Sequence, residues 1–253
     1  MKDASPTTIY LKDYAPFPFR VKNVHLTFQL DPLKTRVISL VEFEPIAGAS
    51  QHDLFLHGED LRLIWAKIDG AAVSPQITKG GLSVRVPSSS FVWECEVEID
   101  PQNNTSLEGL YMSNGMYCTQ CEAEGFRRIS YYLDRPDVMA VFTTKIIASE
   151  KLYPMLLANG NKIAQGSLPD GRHWVEWHDP FKKPCYLFAM VAGNLEVVED
   201  SFTTMSGRHI DLQIFVEQKD VEKCGHAMLS LQRAMRWDEQ VYGREYDLDL
   251  YMI

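Results

Sequence analysis

The segment Val24-His-Leu-Thr-Phe-Gln-Leu30 alternates apolar and polar residues without a break, so Val24, Leu26, Phe28 and Leu30 fall on one face. A period of two fits a strand buried on one side, and a helix, which repeats every 3.6 residues, would scatter the same side chains. The pattern recurs along the chain. Asp31-Pro32 marks a turn, and Thr35–Phe43 resumes a β-rich run. Asp53–His57, Leu61–Ile68, Leu82–Val86 and Phe91–Ile99 follow, with Asp-Gly and Gly-Gly signals between them. Val141–Ala148, Tyr153–Ala158, His173–Trp177 and Cys185–Val191 continue the series. Asn159-Gly160-Asn161 and Asp170-Gly171 read as hairpin turns. Many short strands with regular turns predict a mainly β fold, an antiparallel sandwich or saddle-like double sheet.

The pattern changes near Gly193-Asn194. After strands at Leu195–Thr203 and His209–Val216 a helical period takes over, with Asp220 as N-cap and Gly243 as terminator. Ala227, Met228, Leu231, Ala234, Met235 and Val241 form its apolar stripe. Tyr246–Ile253 alternates again as a strand. This divides the chain into a β domain over residues 1–193 and a second unit over 194–253. An end on a bare apolar strand reads as truncation of a longer protein.

Charge and hydropathy exclude several classes. A net charge of −9 argues against a phosphate-binding surface and hence against nucleic acid as a partner. The best apolar run, Cys185–Gly193, is far short of the ~20 residues a membrane helix needs. The first residues carry two early aspartates and no apolar core of leader length, so a cytoplasmic location is expected. Five irregularly spaced cysteines make a poor disulfide framework, and Cys95 and Cys185 read as small buried hydrophobes in strand-like runs.

The densest chemistry lies in Met116–Asp137. Gln120 and Glu122 are two apart, so in an extended strand their side chains would share a face; a solvated loop is the bland alternative. Cys118 and Cys121 lack both the βαβ context of a redox pair and two further ligands for a structural metal, which favours packing thiols. Glu124, Arg127, Arg128, Asp134, Arg135 and Asp137 read as an ion-pair network that fixes the loop and holds Gln120 and Glu122 in place. His25 and His209 lie in strand patterns, and His173 and His178 flank Trp174 and Trp177 as in a packed strand. None of the seven histidines precedes a glutamate, so the zinc motif H-E-x-x-H is absent.

Cys118–Asp137 closely resembles the substrate-amine-binding segment of the bacterial aminopeptidase N family. Further landmarks occur in the family's order: Tyr10–Phe19, Leu26-Thr-Phe28, Asp31-Pro32, Phe142–Ile147, Asn159-Gly-Asn161 and Gly171-Arg-His-Trp174. Asp179-Pro-Phe181, Lys183–Ala189, Trp237-Asp-Glu239 and Tyr246–Met252 complete them. The resemblance implies a saddle-shaped N-terminal β domain followed by the opening of a thermolysin-like catalytic domain. It also implies a zinc-dependent parent enzyme that removes N-terminal residues from peptides. Gln120 and Glu122 would then hold the free amine of the peptide, a carboxylate giving charge-assisted hydrogen bonds to an ammonium. Zinc would belong to the full-length parent; no residue of this chain is assigned a catalytic or metal-ligating role, and the chain alone is expected to be inactive. Two rivals are a non-catalytic β-sandwich binding module and an epoxide hydrolase of the leukotriene A4 hydrolase type.

Overall fold

The alternating segment belongs to an eleven-residue strand, β1 (Phe19–Gln29), in which Val24, Leu26 and Phe28 are buried and His25 is exposed. The structure is a computed structural model and describes residues 8, 10–46 and 53–253. Asp31 closes the first hairpin. Its Oδ1 accepts the N–H groups of Leu33 (3.0 Å) and Lys34 (2.9 Å), a local substitute for backbone pairing that brings the chain back as β2 (Thr35–Pro45).

In chain order β3 (Asp53–His57), β4 (Arg62–Ile68), β5 (Ala71–Ala72), β6 (Gln76–Thr78), β7 (Gly81–Arg85), β8 (Phe91–Ile99) and β9 (Gly109–Ser113) follow. Then come β10 (Met116–Gln120), β11 (Met139–Ser149), β12 (Met155–Ala158), β13 (Asn161–Ser167), β14 (Arg172–Pro184) and β15 (Met190–Gly193). The last elements are β16 (Glu196–Thr203), β17 (His209–Val216), helix α1 (Gly225–Tyr242) and β18 (Leu250–Met252).

The fold is mainly β. An eight-stranded sheet runs β13-β14-β11-β1-β2-β8-β4-β5. Its pairs are antiparallel except β1 with β11, which are parallel, so the sheet is mixed where the alternation alone predicted an antiparallel one. Its inner positions (Phe28, Val41, Trp93, Val97, Phe142, Ile146) join one core with Leu54, Leu56 and Leu82 of the three-stranded sheet β3-β7-β6. Leu110, Tyr117, Leu156 and Met190 of the four-stranded sheet β12-β15-β10-β9 enter the same core. Burying every second side chain of so many strands is the main favourable term in such a sandwich.

A smaller core lies beyond it. Phe202, Ile210, Leu212 and Ile214 of β16 and β17 pack with Cys224, Met228, Leu231 and Met235 of α1 and its approach. Leu250 and Met252 lean instead on the larger core, and Asn161 and Asp249 exchange two hydrogen bonds (3.1 and 3.2 Å) between the two regions.

Several expectations need correction. Asn159-Gly160-Asn161 is not a hairpin: β12 pairs with β15 and β13 with β14, so this turn carries the chain from one sheet to another. Gly160 is required there, with φ +93° and a Cβ position only 2.2 Å from the His178 carbonyl oxygen. Cys185 begins a 3-10 turn, Cys185–Leu187, after Pro184, and the strand resumes only at Met190. Asp220 caps nothing; it sits inside a 3-10 turn, Gln218–Lys223, bonded to Lys223, and Cys224 is the N-cap of α1. Ala227, Ala234 and Val241 are exposed, whereas Glu239 is buried and accepts the Met205 N–H at 3.0 Å. Only Leu250–Met252 of the final alternating segment forms a strand, parallel to β17. Gly243 ends α1 in the left-handed conformation (φ +61°), as predicted.

Candidate functional site

β9 and β10 form a hairpin whose turn, Asn114-Gly115, has positive φ at both residues (50° and 80°), the conformation a two-residue hairpin needs. β10 is flanked by β9 and β15, which seats Tyr117 in the core. Thr119 locks the opposite edge: its Oγ1 donates to the Met190 carbonyl (3.3 Å) and accepts the Met190 N–H (2.9 Å). The last ladder pair is Gln120 with Gly109.

The chain then leaves the sheet. Glu122–Gly125 form a turn that contains a cis Glu122–Ala123 peptide and is closed by the Gly125 N–H to the Cys121 carbonyl at 2.8 Å. Gln120 and Glu122 therefore do not share a strand face. The Gln120 side-chain amide donates to the Glu122 carbonyl oxygen at 3.1 Å, so the two residues are adjacent by a turn. Both are exposed, and the Glu122 carboxylate has no hydrogen bond or ion pair among the described residues.

Glu124 differs. The turn runs into a 3-10 turn, Phe126–Arg128, in which Phe126 is fully buried against Tyr132, Phe142 and Phe188. Arg127 emerges from this turn and reaches Glu124 (Nη2 to Oε1, 3.3 Å), the buried Asp134 (Nε to Oδ2, 3.0 Å) and Glu59 (3.7 Å). Burial is the largest single influence and opposes the Arg127 charge, but the bond to Asp134 and the negative charges of Asp134, Glu124 and Glu59 together outweigh it and raise its pKa. Arg128 gathers Glu59 (3.1 Å), Glu108 (3.3 Å) and Asp60.

The predicted charge network exists in two parts. Arg135 and Asp137 form a separate bidentate pair (2.9 and 2.7 Å) that also holds the Ala15 carbonyl and the Tyr14 hydroxyl, fastening the N-terminal segment. The bond from Arg135 is the main reason the Asp137 carboxyl lies below its usual range. Sequence reasoning missed Glu59, Asp60, Glu108 and His57. His57 Nδ1 accepts the Asp134 N–H at 3.3 Å, across 77 positions of sequence that carry no local sign of the pairing.

Cys118 is half-buried and Cys121 is buried; both are free thiols, and burial pushes both up, away from the thiolate that redox chemistry needs. His173 Nε2 contacts the Tyr153 carbonyl (2.8 Å) and His178 Nδ1 the Thr143 hydroxyl (2.9 Å), structural bonds on β14. His209 is exposed beside Asp211 (3.0 Å). Among the described residues no three His, Cys, Asp or Glu side chains converge as metal ligands. Among the same residues no helix is long and apolar enough to cross a membrane.

The mainly β fold of packed sheets that carries this turn is shared with the N-terminal domain of one peptidase family. The chain belongs to the M1 peptidase family: residues 22–187 match its N-terminal domain. Within the family it is similar to aminopeptidase N of Caulobacter vibrioides (48% identity over 256 residues, covering 100% of this chain) and of Escherichia coli K12 (49%, covering 98%). The chain spans only 29% and 28% of the length of those two relatives. A solved structure of Legionella pneumophila aminopeptidase A in complex with aspartic acid superposes with a TM-score of 0.90 at 34% identity, over 96% of this chain and 29% of that one. An M1 zinc metallopeptidase mutant from Deinococcus radiodurans bound to a Tyr-Ser-Ala substrate shares the fold, with a TM-score of 0.79 at 15% identity over 93% of this chain and 56% of its own.

Proposed function

We propose that this chain is the N-terminal part of a zinc-dependent aminopeptidase and that Gln120 and Glu122 hold the α-ammonium of a peptide substrate. The observation that carries the reading is the Glu122 carboxylate, exposed and without a partner among the described residues, on a turn whose neighbouring Glu124 and Arg127 are paired. A substrate ammonium supplies the missing partner, and the Gln120 amide oxygen accepts a further proton without adding charge. An N-terminally blocked or internal peptide segment offers no such cation, which gives selectivity for a free N-terminus.

Zinc would be held by parts of the longer protein, where it supplies a metal-activated water. No hydrolytic step falls to the residues described here, and the chain alone does not hydrolyse peptides. Residues 1–193 serve as the N-terminal β domain and 194–253 open the thermolysin-like catalytic domain, a division supported by the two separate apolar cores. The five free cysteines and the net charge of −9 support a cytoplasmic protein with no nucleic-acid or membrane partner.

The test is Glu122→Ala in the full-length enzyme. Losing one partner of a desolvated charge pair costs about 2–5 kcal/mol, or roughly thirtyfold to several thousandfold in kcat/KM. Zinc content should be unchanged. Near-wild-type kcat/KM on a peptide with a free N-terminus would falsify the assignment.

A further inference from the structure

We infer that Asp134, acting through Arg127, is a positioning residue that decides which carboxylate of the Glu122–Glu124 turn meets the substrate amine; this rests on the assignment of Glu122 proposed above. The Asp134 side chain is 1% exposed. Its Oδ2 accepts two bonds from Arg127, the backbone N–H at 3.1 Å and Nε–H at 3.0 Å, and Cys185 Sγ lies 3.2 Å from Oδ1. The Asp134 N–H is spent on His57 Nδ1. The carboxylate is thus fixed from several elements, and it fixes the Arg127 guanidinium in turn.

The outer edge of that guanidinium takes Glu124. Gln120 is pinned at the other end of the turn by its ladder pair with Gly109. Glu122 lies between these fastenings; its carbonyl oxygen accepts the Gln120 amide, and its carboxylate is bonded to neither Gln120 nor Arg127. Two carboxylates at this spacing would otherwise compete for one ammonium, and each would repel the other's charge. Arg127 neutralises Glu124 and leaves Glu122 as the anionic group offered to a ligand. A buried ion pair adds little net stability over an apolar replacement, so orientation is the better account of what Asp134 supplies.

The experiment uses the full-length metal-loaded enzyme and L-alanine 4-nitroanilide, with four proteins: wild type, Glu122→Gln, Asp134→Asn and the double variant. Asp134→Asn should lower kcat/KM roughly tenfold to a hundredfold, chiefly through KM, since small displacements of a positioned group carry losses of this size. The double variant should be no worse than Glu122→Gln alone, within about twofold, because both changes disable one anchor. A residue that merely stabilises the fold would give losses that multiply. Multiplying losses, or wild-type kinetics for Asp134→Asn, overturn the inference and leave the Glu122 assignment standing. Wild-type kinetics for Glu122→Gln overturn the assignment and the inference together. Arg127→Gln covers the case in which Asp134→Asn does not fold: it should show the same KM-weighted loss, partly restored in Arg127→Lys, and its absence again overturns the inference.

Discussion

Glu122 and Glu124 are chemically identical and two positions apart, and only their neighbours distinguish them. Glu124 is bound by Arg127 and the Glu122 carboxylate has no partner among the described residues, so Glu124→Ala should change kcat/KM far less than Glu122→Ala. Gln120→Ala should fall between, since a neutral hydrogen bond contributes about 0.5–1.5 kcal/mol, roughly threefold to tenfold in kcat/KM. Gly125 gives a sharper test of the turn itself. A Cβ there would lie 2.3 Å from the Gln120 carbonyl oxygen, 2.9 Å from the Gly109 nitrogen and 3.0 Å from the Cys121 Cα, all backbone atoms that cannot swing away. Gly125→Ala should therefore cost about 1–3 kcal/mol in denaturant unfolding and lower kcat/KM as well. Unchanged stability would mean that the turn has slack that these distances deny. The density of charge around Gln120 and Glu122 was legible in the sequence, and the role proposed for them came from the family resemblance. Their geometry was not legible, because the strand reading extends β10 two residues past the point where the ladder stops. Nor were Glu59, Asp60 and Glu108, which meet Arg128 from 69, 68 and 20 positions away in the sequence.

At the scale of elements, period two located strands well and pairing poorly. Phe28 declared itself by alternation, Trp93 and Phe142 fall inside predicted strands, and each lies in the core. Alternation says nothing about which strand lies beside which, so neither the parallel β1–β11 pair nor the separation of β12 from β13 followed from it. β13 was missed because Ala164 and Gly166 leave it little apolar patterning; it forms at a sheet edge by pairing with β14 alone. Phe28→Ala in the middle of β1 should cost about 3–5 kcal/mol by chemical denaturation, as for a large aromatic removed from a packed core. The end of β3 predicts a pH effect. Burial first, then the Arg127 cation, depress the His57 imidazole below its ordinary 6.5, with Asp134, a backbone bond from Tyr132 and Glu124 acting in opposition. The folded chain favours neutral imidazole, so the unfolded chain binds more protons below about pH 6.5. This contribution to stability is full above that pH and is lost as pH falls through the lower folded pKa. The drop in melting temperature between about pH 7.5 and pH 5 should shrink in His57→Gln. An identical drop in both proteins would remove His57 as its source.

Across the whole molecule the two cores are unequal in a way that predicts how the chain opens. The larger core is enclosed by three sheets, and Val24, Phe28, Val37, Val41 and Val97 within it have no measurable exposure. The smaller one rests on a single helix face. α1 buries Met228, Leu231 and Met235 and leaves Leu229, Trp237, Val241 and Tyr242 in solvent. Its amide bonds are therefore screened on one side only, and the polar links between regions, such as Asn161 with Asp249, lie in the open where water competes for them. Opening free energy follows buried apolar contact, so local opening should start in the smaller core and leave the sandwich intact. Hydrogen exchange on the 253-residue chain expressed alone should be faster in Gly225–Tyr242 than in Phe19–Gln29, with the helix exchanging as a unit. Equal protection in the two elements would show that the exposed face of α1 is covered in solution, and the concentration dependence of its protection would then tell association between copies from packing within one.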